Sequence, residues 1–101
     1  AGDLYDAAVS WAADQGWGEW FMGAEDQRIR FIGHGVGLEL DEYPFLAKGQ
    51  DMPLVKGMTI ALEPKLIIPG KGVVGIENTH VVTDDGLAPL TCFDQAVQII
   101  V

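Results

Sequence analysis

Past residue 27 the apolar residues stop recurring at helical spacing and begin to alternate or to cluster in short runs, which confines regular helix to the first part of the chain. RIRFI (28–32) alternates polar and apolar, and MTIALE (58–63) and KLII (65–68) are short apolar or half-apolar runs. GVVGIENTHVVT (72–83) reads as one longer strand rich in β-branched residues. IPGKG and DDG are hairpin-type connections, LAKGQDMPLVKG (46–57) is a longer loop, and AVQIIV (96–101) reads as a last strand. Ahead of these, DLYDAAVSWAADQ (3–15) predicts a helix. Asp3 can cap it, Asp6 adds a charge suited to the first turn, Leu4, Ala8 and Trp11 share one face, and Gly16 lies where a left-handed stop belongs. WGEWFMG (17–23) breaks the period and reads as a loop folding onto the core, with Trp17, Trp20 and Phe21 as packing residues rather than a ligand platform. One helix followed by an antiparallel strand set is an α+β layout, and no internal repeat, low-complexity tract or linker interrupts it.

With 101 residues, 49% of them hydrophobic, the chain is one small domain or a piece of a larger one, and it can bury a modest core. A formal net charge of -9 argues against nucleic acid or an anionic membrane surface as partner and favours cations. The single cysteine, Cys92, has no internal disulfide partner, which suits a reducing compartment. No apolar run reaches membrane-spanning length and the N-terminus lacks a signal-peptide layout, so a soluble, cytoplasmic protein is expected.

Three residues carry the candidate chemistry. His34 stands in GHGVGLELDEYP (33–44), where Gly33, Gly35 and Gly37 strip side chains from its surroundings and let a second backbone or a ligand approach closely. A lone histidine is more often an ordinary surface or core residue, and the glycines do not form a dinucleotide loop, because no amphipathic helix follows them. Glu63 ends an apolar strand just before Pro64, and Glu77 lies in the middle of the most apolar strand. Burying such carboxylates is costly unless something neutralises them, and the chain has only 6 Lys and Arg to do it. A metal ion is the economical alternative: one imidazole and two carboxylates suit manganese, iron, cobalt or zinc, although acids at strand ends also occur simply facing water.

GHGVGLELDEYP, GMTIALEP (57–64) and GIENTHVVTDDGLAPLT (75–91) stand in the same order and at similar separations as three signature segments of the pita-bread metallopeptidases. That family comprises methionine aminopeptidase, Xaa-Pro aminopeptidase, Xaa-Pro dipeptidase (prolidase) and creatinase, and the wording of the first segment is closest to the proline-specific branch. The resemblance covers nearly the whole chain, residues 3 to 16 being similar to the helix before the histidine strand. It implies that His34 and Glu63 bind one metal, that Glu77 bridges two, and that Glu63 also shuttles a proton. Two aspartate ligands of the family lie upstream of the stretch that residues 1–101 resemble. The chain therefore resembles the C-terminal part of a catalytic domain. The complete protein is expected to hold two divalent ions (Mn, Co, Zn or Fe) and this part alone at most one, weakly. Hydrolysis by water activated between two cations is what the resemblance implies for the whole, with a peptide as substrate, the N-terminal half of the same domain as partner and a homo-oligomer as the assembled form.

Two positions depart from the proline-specific pattern. Asp41 stands where those members usually carry a histidine that contacts substrate, so a catalytic role for Asp41 offers an acceptor in place of a donor. Gly75 stands where they often carry an arginine that orients the site. Asp41 and Glu42 can equally be a solvated acidic turn, Thr91 reads as structural, and His80 reads as a strand residue rather than a ligand. The chain alone is expected to be inactive. The rival readings are a relative that keeps the fold and binds peptides without cleaving them, and a creatinase-like hydrolase of a small amide.

Overall fold

A computed structural model describes residues 1–101, except for the side chain of Glu25. Helix α1 spans Gly2–Asp14, and after a short 3-10 turn at Glu25–Gln27 come seven strands: β1 (Phe31–Gly35), β2 (Glu42–Ala47), β3 (Thr59–Leu62), β4 (Lys65–Ile68), β5 (Gly72–Gly75), β6 (Asn78–Thr83) and β7 (Gly86–Pro89). Five of them form an antiparallel sheet in the order β2-β1-β3-β6-β7, and β4 and β5 pair separately as a two-stranded ladder. The architecture is α+β.

The helix buries Tyr5 and Ala12 against Ile32, Leu46 and Ile60 of the sheet, with Phe21 and Met22 closing the same core. Trp11, grouped with Leu4 and Ala8 on one face, is 63% exposed, while the helix buries Tyr5 and Ala12, one residue on from Leu4 and Trp11. Asp3 makes no cap; the N-cap is Ala1, and Asp3 contributes only a first-turn charge. The helix instead starts on the loop after β2, where the Gly2 amide donates to the Gln50 carbonyl at 2.8 Å. It stops as the sequence predicts. Gly16 has φ +82, Trp17 N–H donates to Ala12 O at 2.8 Å and Gly16 N–H to Ala13 O at 3.0 Å, a Schellman closure.

Residues 17–23 fold back onto the core as expected, although Trp17 itself is exposed and only Phe21 of the three aromatics is buried. They lie along β4: Ile67 N–H donates to Trp20 O at 2.9 Å, Phe21 bridges to Leu66, and Met22 N–H donates to Lys65 O at 2.8 Å. Met22 is buried and holds φ 59, a left-handed backbone that is rare for a non-glycine residue.

Four expectations need correction. The strand expected over 28–32 begins only at Phe31, and Arg28 is spent on the backbone carbonyls of Gly18, Glu19 and Gly23. A strand not anticipated, β2, occupies the end of the acidic segment and the start of the expected loop; Pro44 is tolerated there because β2 is an edge strand, and Pro44 and Leu46 point inward. GVVGIENTHVVT is two strands in two different ladders, broken at Ile76–Glu77. AVQIIV forms no strand: with no ladder neighbour among the described residues its β-branched composition has nothing to pair with, and Ile99, Ile100 and Val101 are exposed.

Candidate metal centre

The chain leaves the five-stranded sheet at the end of β3, runs out and back through the β4–β5 hairpin, and rejoins the sheet at the start of β6. Leu62 pairs with Asn78 on the sheet side of the gap and Lys65 with Gly75 on the hairpin side. Glu63–Pro64 and Ile76–Glu77 therefore face each other between the two ladders, tied by Ile76 N–H donating to Pro64 O at 3.3 Å. The third neighbour is β1, whose Gly33 and His34 pair with Leu62 and Ala61, while Glu63 N–H donates to Ile32 O at 2.9 Å.

His34 is 5% exposed, its ring set between Phe31 and Phe45 with centroids 6.5 Å away from each. The glycines around it serve close backbone approach. A Cβ at Gly33 would overlap the Ala61 carbonyl oxygen of β3, and one at Gly35 would stand 2.5 Å from the Tyr43 carbonyl oxygen of β2. Nδ1 lies 2.8 Å from Gly35 O. A carbonyl only accepts, so Nδ1 carries the hydrogen and donates, which turns Nε2 outward toward the gap.

His34, Glu63 and Glu77 each place a ligand atom within 4.8 Å of those of the other two. Ligand atoms about 2.0–2.2 Å from one tetrahedral ion stand about 3.3–3.6 Å apart, so side-chain closure of at most about 1.5 Å brings all three to a shared cation. The donor set of one imidazole nitrogen and two carboxylate oxygens is chemically suited to that. Burial falls across the trio: His34 is buried, Glu63 half-buried, and Glu77 exposed. Glu77 is thus neither within a strand nor buried, contrary to expectation. It sits where two ladders part, which is what lets its side chain reach Glu63.

Asp41 comes to the same place. Its Oδ1 lies 2.9 Å from His34 Nε2, with the Asp41 side chain 59% exposed. Glu42 does not join it; its Oε2 accepts from Glu39 N–H at 3.2 Å and closes the turn. The acidic pair is therefore divided between the site and the loop. His80 stays out of the cluster, half-buried in β6 with Nδ1 3.1 Å from Asn78 O, and Thr91 is exposed beyond β7. Sequence reasoning overlooked Lys65, whose Nζ lies 3.6 Å from Glu63 Oε2. The available signal was its spacing two residues beyond an expected ligand.

Known proteins resemble the chain over most of its length. Residues 1–84 match the model of metallopeptidase family M24. The chain is 40% identical over 91 residues to an Xaa-Pro dipeptidase of Lactobacillus delbrueckii subsp. lactis, an alignment covering 90% of this chain and 23% of that protein. An Xaa-Pro dipeptidase of Pyrococcus furiosus is 38% identical over 78 residues, covering 77% of the chain and 20% of the relative. Among solved structures, the prolidase from Pyrococcus furiosus superposes with a TM-score of 0.79 at 34% identity, over 93% of this chain and 26% of that one. The X-Pro aminopeptidase from Thermotoga maritima MSB8 superposes at 0.83 with 28% identity, over 96% and 26%. The chain spans about a quarter of these proteins' lengths and has the pita-bread architecture of that portion. By the match over residues 1–84 and the strands that carry it, the chain belongs to metallopeptidase family M24.

Proposed function

We propose that residues 1–101 form the C-terminal part of the catalytic domain of an Xaa-Pro dipeptidase or aminopeptidase, and that the complete protein hydrolyses the peptide bond preceding proline. The observation that carries this reading is the convergence of His34, Glu63 and Glu77 within 4.8 Å in a chain of this family. His34, through Nε2, and Glu63, through a carboxylate oxygen, would hold one divalent ion, and Glu77 would help to hold that ion and a second one. Two ions of manganese, cobalt, zinc or iron supply Lewis acidity for water and for the scissile carbonyl when bound. Glu63, half-buried beside His34 and Glu77, would accept the proton from the attacking water and pass it to the leaving nitrogen. Asp41 stands against His34 Nε2 in the metal-free site; an ion on that nitrogen would displace it, freeing its carboxylate to accept a hydrogen bond from the substrate.

The rest of the site belongs to the N-terminal half of the domain, which supplies the aspartate ligands. Its packing surface is the apolar face around a cavity of about 410 Å³ between Trp11, Trp17, Phe21, Leu66, Val74 and Ile76. A cytoplasmic location fits the exposed free thiol of Cys92. No helix among the described residues is long and apolar enough to cross a membrane. The test is to strip the complete protein with a chelator, return Mn2+, and assay an Xaa-Pro dipeptide beside its Xaa-Ala counterpart. Metal-dependent cleavage selective for proline is expected. Binding of the peptide without cleavage identifies the peptide-binding relative instead, and cleavage of creatine-like amides alone identifies the amidohydrolase.

A further inference from the structure

We propose that Lys65 is a positioning residue that holds the Glu63 carboxylate for metal binding, and that the glycine at position 75 exists to make room for it. The inference rests on the metal-site reading above. Lys65 Nζ lies 3.6 Å from Glu63 Oε2, and among the described residues this is the one ion pair made by either carboxylate of the trio. The ammonium opens on a cavity of about 280 Å³ that Glu63, Glu77, Gly75, Ile76 and Val73 complete. Two acids brought this close repel each other unless a cation stands beside them. Lys65, about three-quarters buried in its side chain, is that cation.

Its stem is held on both sides. The Lys65 amide donates to Met22 Sδ at 3.4 Å and the Lys65 carbonyl accepts from Met22 N–H at 2.8 Å, so the left-handed backbone of buried Met22 clamps one edge of the residue. Gly75 is its ladder partner on the other edge. Directly opposed residues ordinarily keep their Cβ atoms about 4.5–5.5 Å apart. At this rung a Cβ on Gly75 would stand 2.9 Å from that of Lys65. The rung therefore accepts one side chain and Lys65 provides it. From that rung the mostly buried side chain of Lys65 brings Nζ to the Oε2 side of the Glu63 carboxylate. A side chain that acts through another in this way costs about 10–100-fold in metal affinity or activity when lost.

The experiment uses the complete protein and three variants: Lys65→Met, which keeps the aliphatic stem, Lys65→Arg, which keeps a cation, and the exchange Lys65→Gly/Gly75→Lys, which moves the cation across the rung. Mn2+ affinity is measured by calorimetric titration, and kcat and KM are read separately on an Xaa-Pro dipeptide. Lys65→Met is expected to bind Mn2+ about 10–100-fold more weakly and to lose kcat by a similar factor with KM changed less than about threefold. Lys65→Arg and the exchange variant are expected to recover most of that affinity. Mn2+ binding by Lys65→Met as tight as or tighter than wild type overturns the inference and leaves the proposed function standing. Failure of the two cation-bearing variants to recover affinity, while melting with the wild type, also overturns it. A wild-type protein that takes up no Mn2+ overturns both.

Discussion

His34 Nε2 and Asp41 Oδ1 stand 2.9 Å apart, while Nδ1 of the same ring is held 2.8 Å from the carbonyl oxygen of Gly35. The Nδ1 end is held by buried backbone, whereas Asp41 holds the Nε2 end only when that nitrogen carries a hydrogen too, and it must let go for an ion to bind there. Because Nδ1 has the irreplaceable partner, the two amide substitutions of His34 should differ. His34→Asn places its amide nitrogen near Nδ1 and keeps a donor for Gly35, whereas His34→Gln places it near Nε2 and orphans that carbonyl. Both should lose metal binding, and His34→Gln should be the less stable by about 1 kcal/mol or more in urea unfolding with chelator present. Equal stabilities would show that the Gly35 contact contributes nothing.

Glu77→Gln should leave the chelator-treated fold within about 0.5 kcal/mol of wild type, since Glu77 is exposed and lies outside the ladders. It should nonetheless abolish peptide cleavage by the metal-loaded complete protein. Paired unfolding and peptidase assays check this; a variant that unfolds early yet still cleaves at the normal rate would rule out a bridging role.

Gly33→Ala and Gly37→Ala should behave differently although both alter the same motif. At Gly33 the new methyl meets the Ala61 backbone, which cannot swing away, and a cost of about 1–3 kcal/mol is expected along with weaker metal binding as β1 and β3 separate. At Gly37 it meets the Glu42 carboxylate, the far end of a flexible side chain, and the cost should stay below about 1 kcal/mol. Denaturant midpoints of the two variants make the comparison.

Residues 1–101 produced alone should self-associate or bind a hydrophobic dye. Trp11, Trp17, Val74 and Ile76 crowd one exposed apolar face that a monomer in water would leave bare. Sedimentation velocity reads the outcome, and a strictly monomeric, dye-silent chain would contradict the packing surface assigned here to the N-terminal half.

Local chemistry made much of this legible. Gly16 stops the helix where its backbone freedom predicts, the IPGKG and DDG turns connect real hairpins, and the residues whose types suit a metal do converge. What sequence alone could not supply is pairing. The run from Gly72 to Thr83 is β-branched on both sides of Glu77, Asn78 and His80, and no proline or glycine falls between Ile76 and Thr83, so neither breaker marks Ile76–Glu77 as the place where one ladder ends and another begins. β2 hid behind Pro44, a residue that argues against a strand until the strand is known to lie at an edge. Lys65 drew no notice because its meaning depends on what lies across the rung, and Gly75 looked like a loss until Lys65 was seen filling its space.

The position of the trio between two ladders has a mechanical consequence. Only two short crossings, Glu63–Pro64 and Ile76–Glu77, join the β4–β5 hairpin to the five-stranded sheet along the chain, and each crossing carries one of the acids. An ion gripped by both acids and by His34 of the sheet would act as a rivet through that joint. Swinging of the hairpin and release of the ion would then become the same motion, and the grip of the site on a metal would be set by how stiffly residues 20–22 brace the hairpin from outside.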